Sequence, residues 1–499
     1  MENGHVGDES NDGDDARTLA SQAIDDLISR AKVILAELEA YKAHLRTLRL
    51  DGTIEMAHFR STTQSELSML ERLSARPENE STAHVARSSN LPFLETVWHT
   101  TKNSKNVVAL LKRVYTDSSA KATAQGLRRI GNGRGLKEMK RRSDGSIIVD
   151  SIADGGQTWV KVSLVTNTRL LFDLAKQGWE AGSSGEEDDI DKLPEDDHDV
   201  PLVKTAKDLT KAAKLFRVHT KEPKVILVLP RIRPNETSQI DDILEECRKC
   251  GTEIYCGEDL QQPVSIESAM QIMTPDPIVS FSDTLNIDCT ILLALVSDFS
   301  HAKVNKEPWF HTALERQVEI EDSENLLPEL LYPAMSNHRM VCTKEAAFRM
   351  REIVATIGTP PEKARTAVIM GDDSSKSQQH LVQDLQEWST HSVPSDWQLP
   401  IVVINQNENN CQLKLPPQAT SVCKNMTEIN KSVFLYGWAT GQTTITSNRT
   451  VAKQIENDLE KFDHLDESVW PSIWLCPTAR SLVGKEKRGG RRTVQKQVA

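Results

Sequence analysis

The sequence predicts an α/β protein in three parts. These are an N-terminal helical bundle region, a middle α/β region, and a C-terminal α/β/α sandwich with a mainly parallel sheet. Three observations carry the prediction. Apolar residues recur three or four apart from Leu19 to Leu48, the period of an amphipathic helix. β-Branched residues alternate on both sides of Asp154-Gly155-Gly156, a hairpin pattern. From Lys224 to Leu475, short apolar runs alternate with helical stretches, the rhythm of β-α-β units.

In chain order, residues 1–15 are acidic and read as disordered. The helical region spans 16–116, with shorter helical patterns around 64–75, 92–100 and 105–115. Residues 117–145 form a basic, glycine-rich linker. Its GNGRG lacks the preceding strand and the terminal Gly-Lys-Ser/Thr of a phosphate loop. The middle region, 146–265, holds the hairpin, strands at Lys224–Leu229 and Thr252–Tyr255, and a helix at Thr237–Lys249. Its insert at 183–199 is too acidic to fold alone, since nine of the fourteen residues from Glu186 to Asp199 are Asp or Glu.

Within the hairpin, Asp150 and Lys161 resemble the carboxylate-plus-lysine pair of restriction-endonuclease-like folds. The acid expected two residues before that lysine is Trp159, so the hairpin reads as structural. CRKCGTEIYC (247–256) has one CxxC at the end of a helix and no second pair. It reads as structural rather than as a zinc or redox site.

The C-terminal domain is expected over 280–480. Strands are predicted at Leu285–Ile287, Met340–Cys342, Ala367–Met370, Ile401–Ile404, Phe434–Tyr436, Thr443–Thr446 and Ile473–Leu475. Thr343 is placed to cap a helix from Lys344 to Ile357, stopped by Gly358 and Pro360-Pro361. The tail, 481–499, reads as basic and disordered, with six Lys or Arg from Lys485 to Lys496.

The bulk numbers set limits. A chain of 499 residues with 38% apolar content supports two to four domains. A net charge of −12 argues against a surface coated in positive potential. Eight cysteines do not make a disulfide scaffold, and the longest apolar runs, such as ILLALV, fall far short of the ~20 residues of a membrane span. The expectation is a soluble intracellular protein, cytoplasmic or nuclear, with no membrane partner.

LNIDCTILLALVSDFSH (285–301) raises the chemical question. Asp288 is a lone acid in an apolar run, where a strand ends and a helix begins. Burying an unpaired carboxylate costs several kcal/mol. In parallel sheets ligands bind at the carboxyl ends of strands, which is where Asp288 and Ser447-Asn448 are expected. Glu345 and Glu352, seven apart on the next helix, share one face. Acids converging from separate strand ends suit Mg²⁺ or Mn²⁺ and phosphodiester hydrolysis.

NIDCTILLAL resembles the first motif of PIN-like domains, and TITSNRTVAKQI (443–454) resembles their later strand-to-helix motif. The resemblance implies that Asp288 binds metal together with Glu345 or Glu352, that Thr290 orients the carboxylates, and that residue 448 is acidic. Here it is Asn448, which contributes no charge. VDSIADGGQTWVKV, NIDCTILLALVS, TIGTPPEKA and FLYGWATGQTTITSN occur in this order. Together with NLPFLETVW (90–98) they are similar to an uncharacterised eukaryotic family with a C-terminal PIN-like domain, typified by the human chromosome 7 open reading frame 25 protein.

Two functional readings follow. The preferred one is a degenerate PIN-like protein binding RNA or another protein without robust catalysis. The alternative is a Mg²⁺- or Mn²⁺-dependent ribonuclease with Asp288 and Glu345 or Glu352 on the metal, Thr290 as brace and Asn448 as a weak ligand. A blander possibility keeps Asp288 as a helix N-cap whose carboxylate accepts backbone N–H bonds.

Overall fold

The computed structural model describes residues 11–48, 50, 52–75, 88–116, 145–182, 199–262, 264–276, 278–405, 415–462, 465–477 and 479–484. Residues 1–10, the basic linker up to residue 144, almost all of the acidic insert and the tail beyond residue 484 lie outside the described residues. The chain divides into two units, Met1–Pro275 and Asp276–Ala499.

The first unit begins with helices α1 (Asn11–Thr47), α2 (Ala57–Ser74) and α3 (Leu91–Lys102). α1 starts inside the segment expected to be disordered. Its buried Ala31, Ile34, Leu38, Tyr41 and Leu45 follow the predicted spacing and meet Phe59 and Leu67 of α2. Residues 105–115 are not helical. Strand β1 (Ala109–Tyr115) runs there, antiparallel to β2 (Ser146–Ala153). The apolar run of β1 fits either period, and its backbone pairing with β2 settles the choice.

β3 (Thr158–Val162) completes the hairpin with β2, through a turn in which Asp154, Gly155 and Gly156 all have positive φ. Helices α4 (Asn167–Gly182) and α5 (Pro201–Leu215) precede β4 (Lys224–Leu229). α6 (Ser238–Lys249), β5 (Thr252–Cys256) and α7 (Ile266–Met273) follow. The sheet order is β1-β2-β3-β4-β5. It is mixed, since β2 runs antiparallel to both its neighbours while β1, β3, β4 and β5 share one direction.

Asp150 has a structural task in this sheet. The β2–β3 ladder covers Ser151–Ala153 against Thr158–Val160. One residue beyond it, the Asp150 carboxylate accepts the Val162 N–H at 2.8 Å and the Lys161 ammonium at 3.0 Å. The buried acid thus stands in for a missing ladder bond. Cys247 packs in the core, and burial pushes its thiol up to about 12.

The second unit has five strands, β6 (Thr284–Ile287), β7 (Arg339–Thr343), β8 (Val402–Ile404), β9 (Thr443–Thr446) and β10 (Ile473–Leu475). All neighbours are parallel, in the order β10-β9-β6-β7-β8. Counted within the unit this is 3-2-1-4-5, the doubly wound order. Its chain direction reverses between the first and fourth strands, here β6 and β9.

The helices between them are α8 (Cys289–Val296), α9 (Asp298–His301), α10 (Thr312–Glu324) and α11 (Tyr332–Met335), then α12 (Lys344–Ile357), α13 (Pro360–Ile369) and α14 (Gln378–Glu387). α15 (Ala419–Cys423), α16 (Glu428–Thr440) and α17 (Arg449–Leu459) complete the set. Thr343 caps α12 through Ala346 N, and the helix ends at Ile357 as its sequence signals predict.

Two predicted strands are helical. Ala367–Met370 is the end of α13, and Phe434–Tyr436 lies within α16. Three or four apolar residues in a row do not distinguish the two periods. The prolines that stop α12 also begin α13, where Thr359 and Glu362 form a capping box.

Residues 479–484 are a fixed strap rather than the start of a disordered tail. The Ser297 hydroxyl donates to Ser481 O, and the Ser481 and Val483 N–H groups donate to Gln317 and Glu362. Leu482 is buried, and the Arg480 guanidinium sits on Glu321 and Glu324. No helix of the described residues is long and apolar enough to cross a membrane.

Candidate functional site

Doubly wound sheets bind their ligands beside the carboxyl ends of the strands that flank the reversal point. Asp288 and Thr446 stand there. The register pairs Ile287 with Ile445, so the next residue on each strand lies at that edge. The Asp288 N–H donates to Ile445 O at 3.0 Å, which extends the ladder one step and holds the two ends together.

The Asp288 side chain is only 4% exposed. Its Oδ2 accepts two hydroxyl bonds, from Thr290 and from Thr446, each at 2.7 Å. Both hydroxyls are themselves oriented by backbone donors. Ser447 N–H donates to Thr290 Oγ1 at 3.1 Å, and Asn448 N–H donates to Thr446 Oγ1 at 2.9 Å. Each hydroxyl proton is thereby directed to the carboxylate. Asp288 Oδ1 accepts no hydrogen bond from the described residues.

Asp288 occupies the N-cap position of α8, but its carboxylate makes no capping bond. The backbone oxygen of Asp288 accepts from Ile291 N and Leu292 N instead. The simple N-cap reading therefore gives way to a carboxylate held by two threonines. Cys289, the next residue, is buried. Its thiol is pushed up to about 12 by that burial and, secondarily, by the negative charge of Asp288. It is no nucleophile at neutral pH.

The other expected residues are placed differently. Glu345 is exposed on the first turn of α12. Glu352 is also exposed and is bound by Arg349 at 2.6 Å. The Asn448 side-chain oxygen accepts Val451 N at 3.3 Å and caps α17. Among the described residues, no three His, Cys, Asp or Glu side chains converge to hold a metal ion. Thr446 is the contributor that sequence reasoning missed. It lay inside the quoted TITSN, where attention went to the position of the absent acid two residues later.

The frame behind the site is tight. α16 crosses β6 and β9 at Gly437. A Cβ there would overlap Thr444 Oγ1 and come within 3.0 Å of Asn286 Nδ2. Asn286 is fully buried, and its amide donates to Val433 O at 2.9 Å and Thr444 Oγ1 at 3.0 Å. Gly437→Ala is expected to destabilise the unit by roughly 1–3 kcal/mol through overpacking. An unchanged urea midpoint would show that the helix does not need this close approach.

Residues 285–387 match the family described as Protein of unknown function (DUF1308). This stretch runs from β6 to the end of α14 and contains Asp288 and Thr290. It stops before β9, so Thr446 and Asn448 lie outside it. No solved structure matches the chain.

Proposed function

We propose that the second unit is a degenerate PIN-like domain that binds a nucleic-acid or protein partner at the carboxyl ends of β6 and β9, without robust catalysis. One observation carries this reading. The groups a metal nuclease would aim at an ion beside Asp288 are engaged otherwise, Glu352 by Arg349 and the Asn448 oxygen by the cap of α17. A single carboxylate with one open oxygen offers a divalent cation too few anionic ligands, since Mg²⁺ and Mn²⁺ sites assemble several oxygens. What persists is a carboxylate fixed by two hydroxyls at the place where doubly wound sheets bind ligands.

The alternative is a Mg²⁺- or Mn²⁺-dependent ribonuclease using Asp288 and Glu345. It is favoured by the open Oδ1 of Asp288 and by the position of Glu345 on the helix that follows the neighbouring strand. The two readings separate in one experiment. Under the binding reading, millimolar Mn²⁺ leaves the melting temperature of the wild type unchanged, and single-stranded RNA stays intact. A Mn²⁺-dependent rise that Asp288→Asn abolishes, accompanied by RNA cleavage, would establish the ribonuclease instead.

A further inference from the structure

The second unit holds a pocket of about 180 Å³, lined by α9 and the loop after it, the C-terminal end of α10 and the loop after α14. Phe299, Val304 and Val318 give it an apolar wall, continuous with the cluster that contains Phe310 and Leu314. Two polar lining residues fix that wall. The Glu321 carboxylate accepts Leu326 N at 3.0 Å and Arg480 Nε at 2.5 Å. The Thr390 hydroxyl donates to His301 O at 2.8 Å.

Three other polar side chains at the pocket are left open. Among the described residues, the side chains of Lys303, Asp322 and His391 make no hydrogen bond and no ion pair. Lys306, which feels the charge of Asp322, is held by Glu319 at 2.6 Å instead. An ammonium and a carboxylate thus line one small pocket without pairing. Asp322 stands in the last turn of α10, where the helix macrodipole adds negative potential. Lys303 and the half-buried His391 ring bring N–H donors from the two loops.

An occupant must match all three parts, with a cation for Asp322, an anion for Lys303 and His391, and a short apolar group for Phe299 and Val318. The volume lies below the ~300–1,000 Å³ of drug-sized ligand sites, so a nucleotide or coenzyme does not fit. Inorganic phosphate suits Lys303 but is repelled by Asp322. We propose that this pocket binds a free α-amino acid with an aliphatic side chain. Its ammonium lies on Asp322, its carboxylate on Lys303 and His391, and its side chain against the apolar wall. The zwitterion bridges two opposite charges that the protein itself leaves apart. None of the lining residues belongs to the Asp288 site, so the inference stands independently of the partner read there.

The test is equilibrium dialysis of the full chain against radiolabelled L-leucine or L-valine at millimolar concentration. Saturable binding of a single equivalent is expected. Lys303→Met and Asp322→Asn should each weaken it about tenfold or more, the loss of one hydrogen bond to a charged group. Both side chains are exposed, so the variants should melt with the wild type. Two unlabelled competitors assign the ends. L-Leucinamide lacks the carboxylate, so Lys303→Met should no longer weaken its binding. 4-Methylpentanoate lacks the ammonium and should be indifferent to Asp322→Asn. No saturable uptake of either amino acid would overturn the proposal, as would an affinity unchanged in both variants. Tighter competition by inorganic phosphate than by unlabelled L-leucine would also overturn it and make the pocket an anion site.

Discussion

Arg480→Met is expected to lower the melting temperature of the second unit by on the order of 10 °C. The guanidinium is buried, and its Nε donates to Glu321 Oε2 at 2.5 Å. Nη2 reaches Glu324 at 3.3 Å, and Nη1 donates to Ala479 O. Removing the cation leaves Glu321 as an unpaired, nearly buried charge, which costs about 3–5 kcal/mol. For a unit of this size, each kcal/mol moves the midpoint by roughly 2–4 °C.

Glu321→Gln should restore part of the loss in the Arg480→Met background. The amide oxygen still accepts Leu326 N, as the carboxylate does at 3.0 Å, and the stranded charge is gone. Lys306→Met breaks an exposed, solvent-screened pair with Glu319 and should leave the melting temperature almost unchanged. Differential scanning calorimetry of the three variants checks the series. A shift for Arg480→Met no larger than that for Lys306→Met would mean the strap does not hold the unit together.

The strap also shows where sequence reasoning reaches its limit. Arg480 stands in a run that becomes strongly basic five residues later, and composition alone reads the whole run as solvated. What fixes it is a set of acceptors more than a hundred residues away, Gln317, Glu321 and Glu362, and no local pattern announces them. Elements whose signals are local were legible. Thr343 before α12, the glycines of the hairpin, and the β-branched run of β9 each carry their own instruction. The short apolar runs at 367–370 and 434–436 do not, and both proved helical. The site divides the same way. Asp288 was conspicuous as a charge in an apolar run, and Thr290 lay two residues on. Thr446 depended on which strand lies beside β6, which only the long crossover between β8 and β9 determines.

Acidification below about pH 6.5 should destabilise the second unit, with His301 as the main cause. This side chain is buried on α9. Its Nε2 lies 2.7 Å from Leu295 O, and a carbonyl only accepts, so the neutral ring carries its proton there. Nδ1 has no hydrogen-bond partner among the described residues. Burial first, and then the positive charge of Arg365, lower the pKa from 6.5 to about 3. In the unfolded chain the imidazole takes up a proton near pH 6.5, whereas in the folded unit it stays neutral until about pH 3. The unfolded state therefore binds more protons throughout that interval. The contribution is complete above pH 6.5 and is lost as the pH falls, at up to about 1.4 kcal/mol per pH unit. Glu362 acts in the opposite sense. Burial raises its pKa, so the folded state protonates it first and gains relative stability once carboxylates titrate. His301→Gln can keep a donor to Leu295 O and cannot titrate. Its urea midpoints should be nearly flat from pH 7 to pH 5, while those of the wild type decline. Parallel profiles for the two proteins would remove His301 from the account and leave the acid sensitivity to other groups.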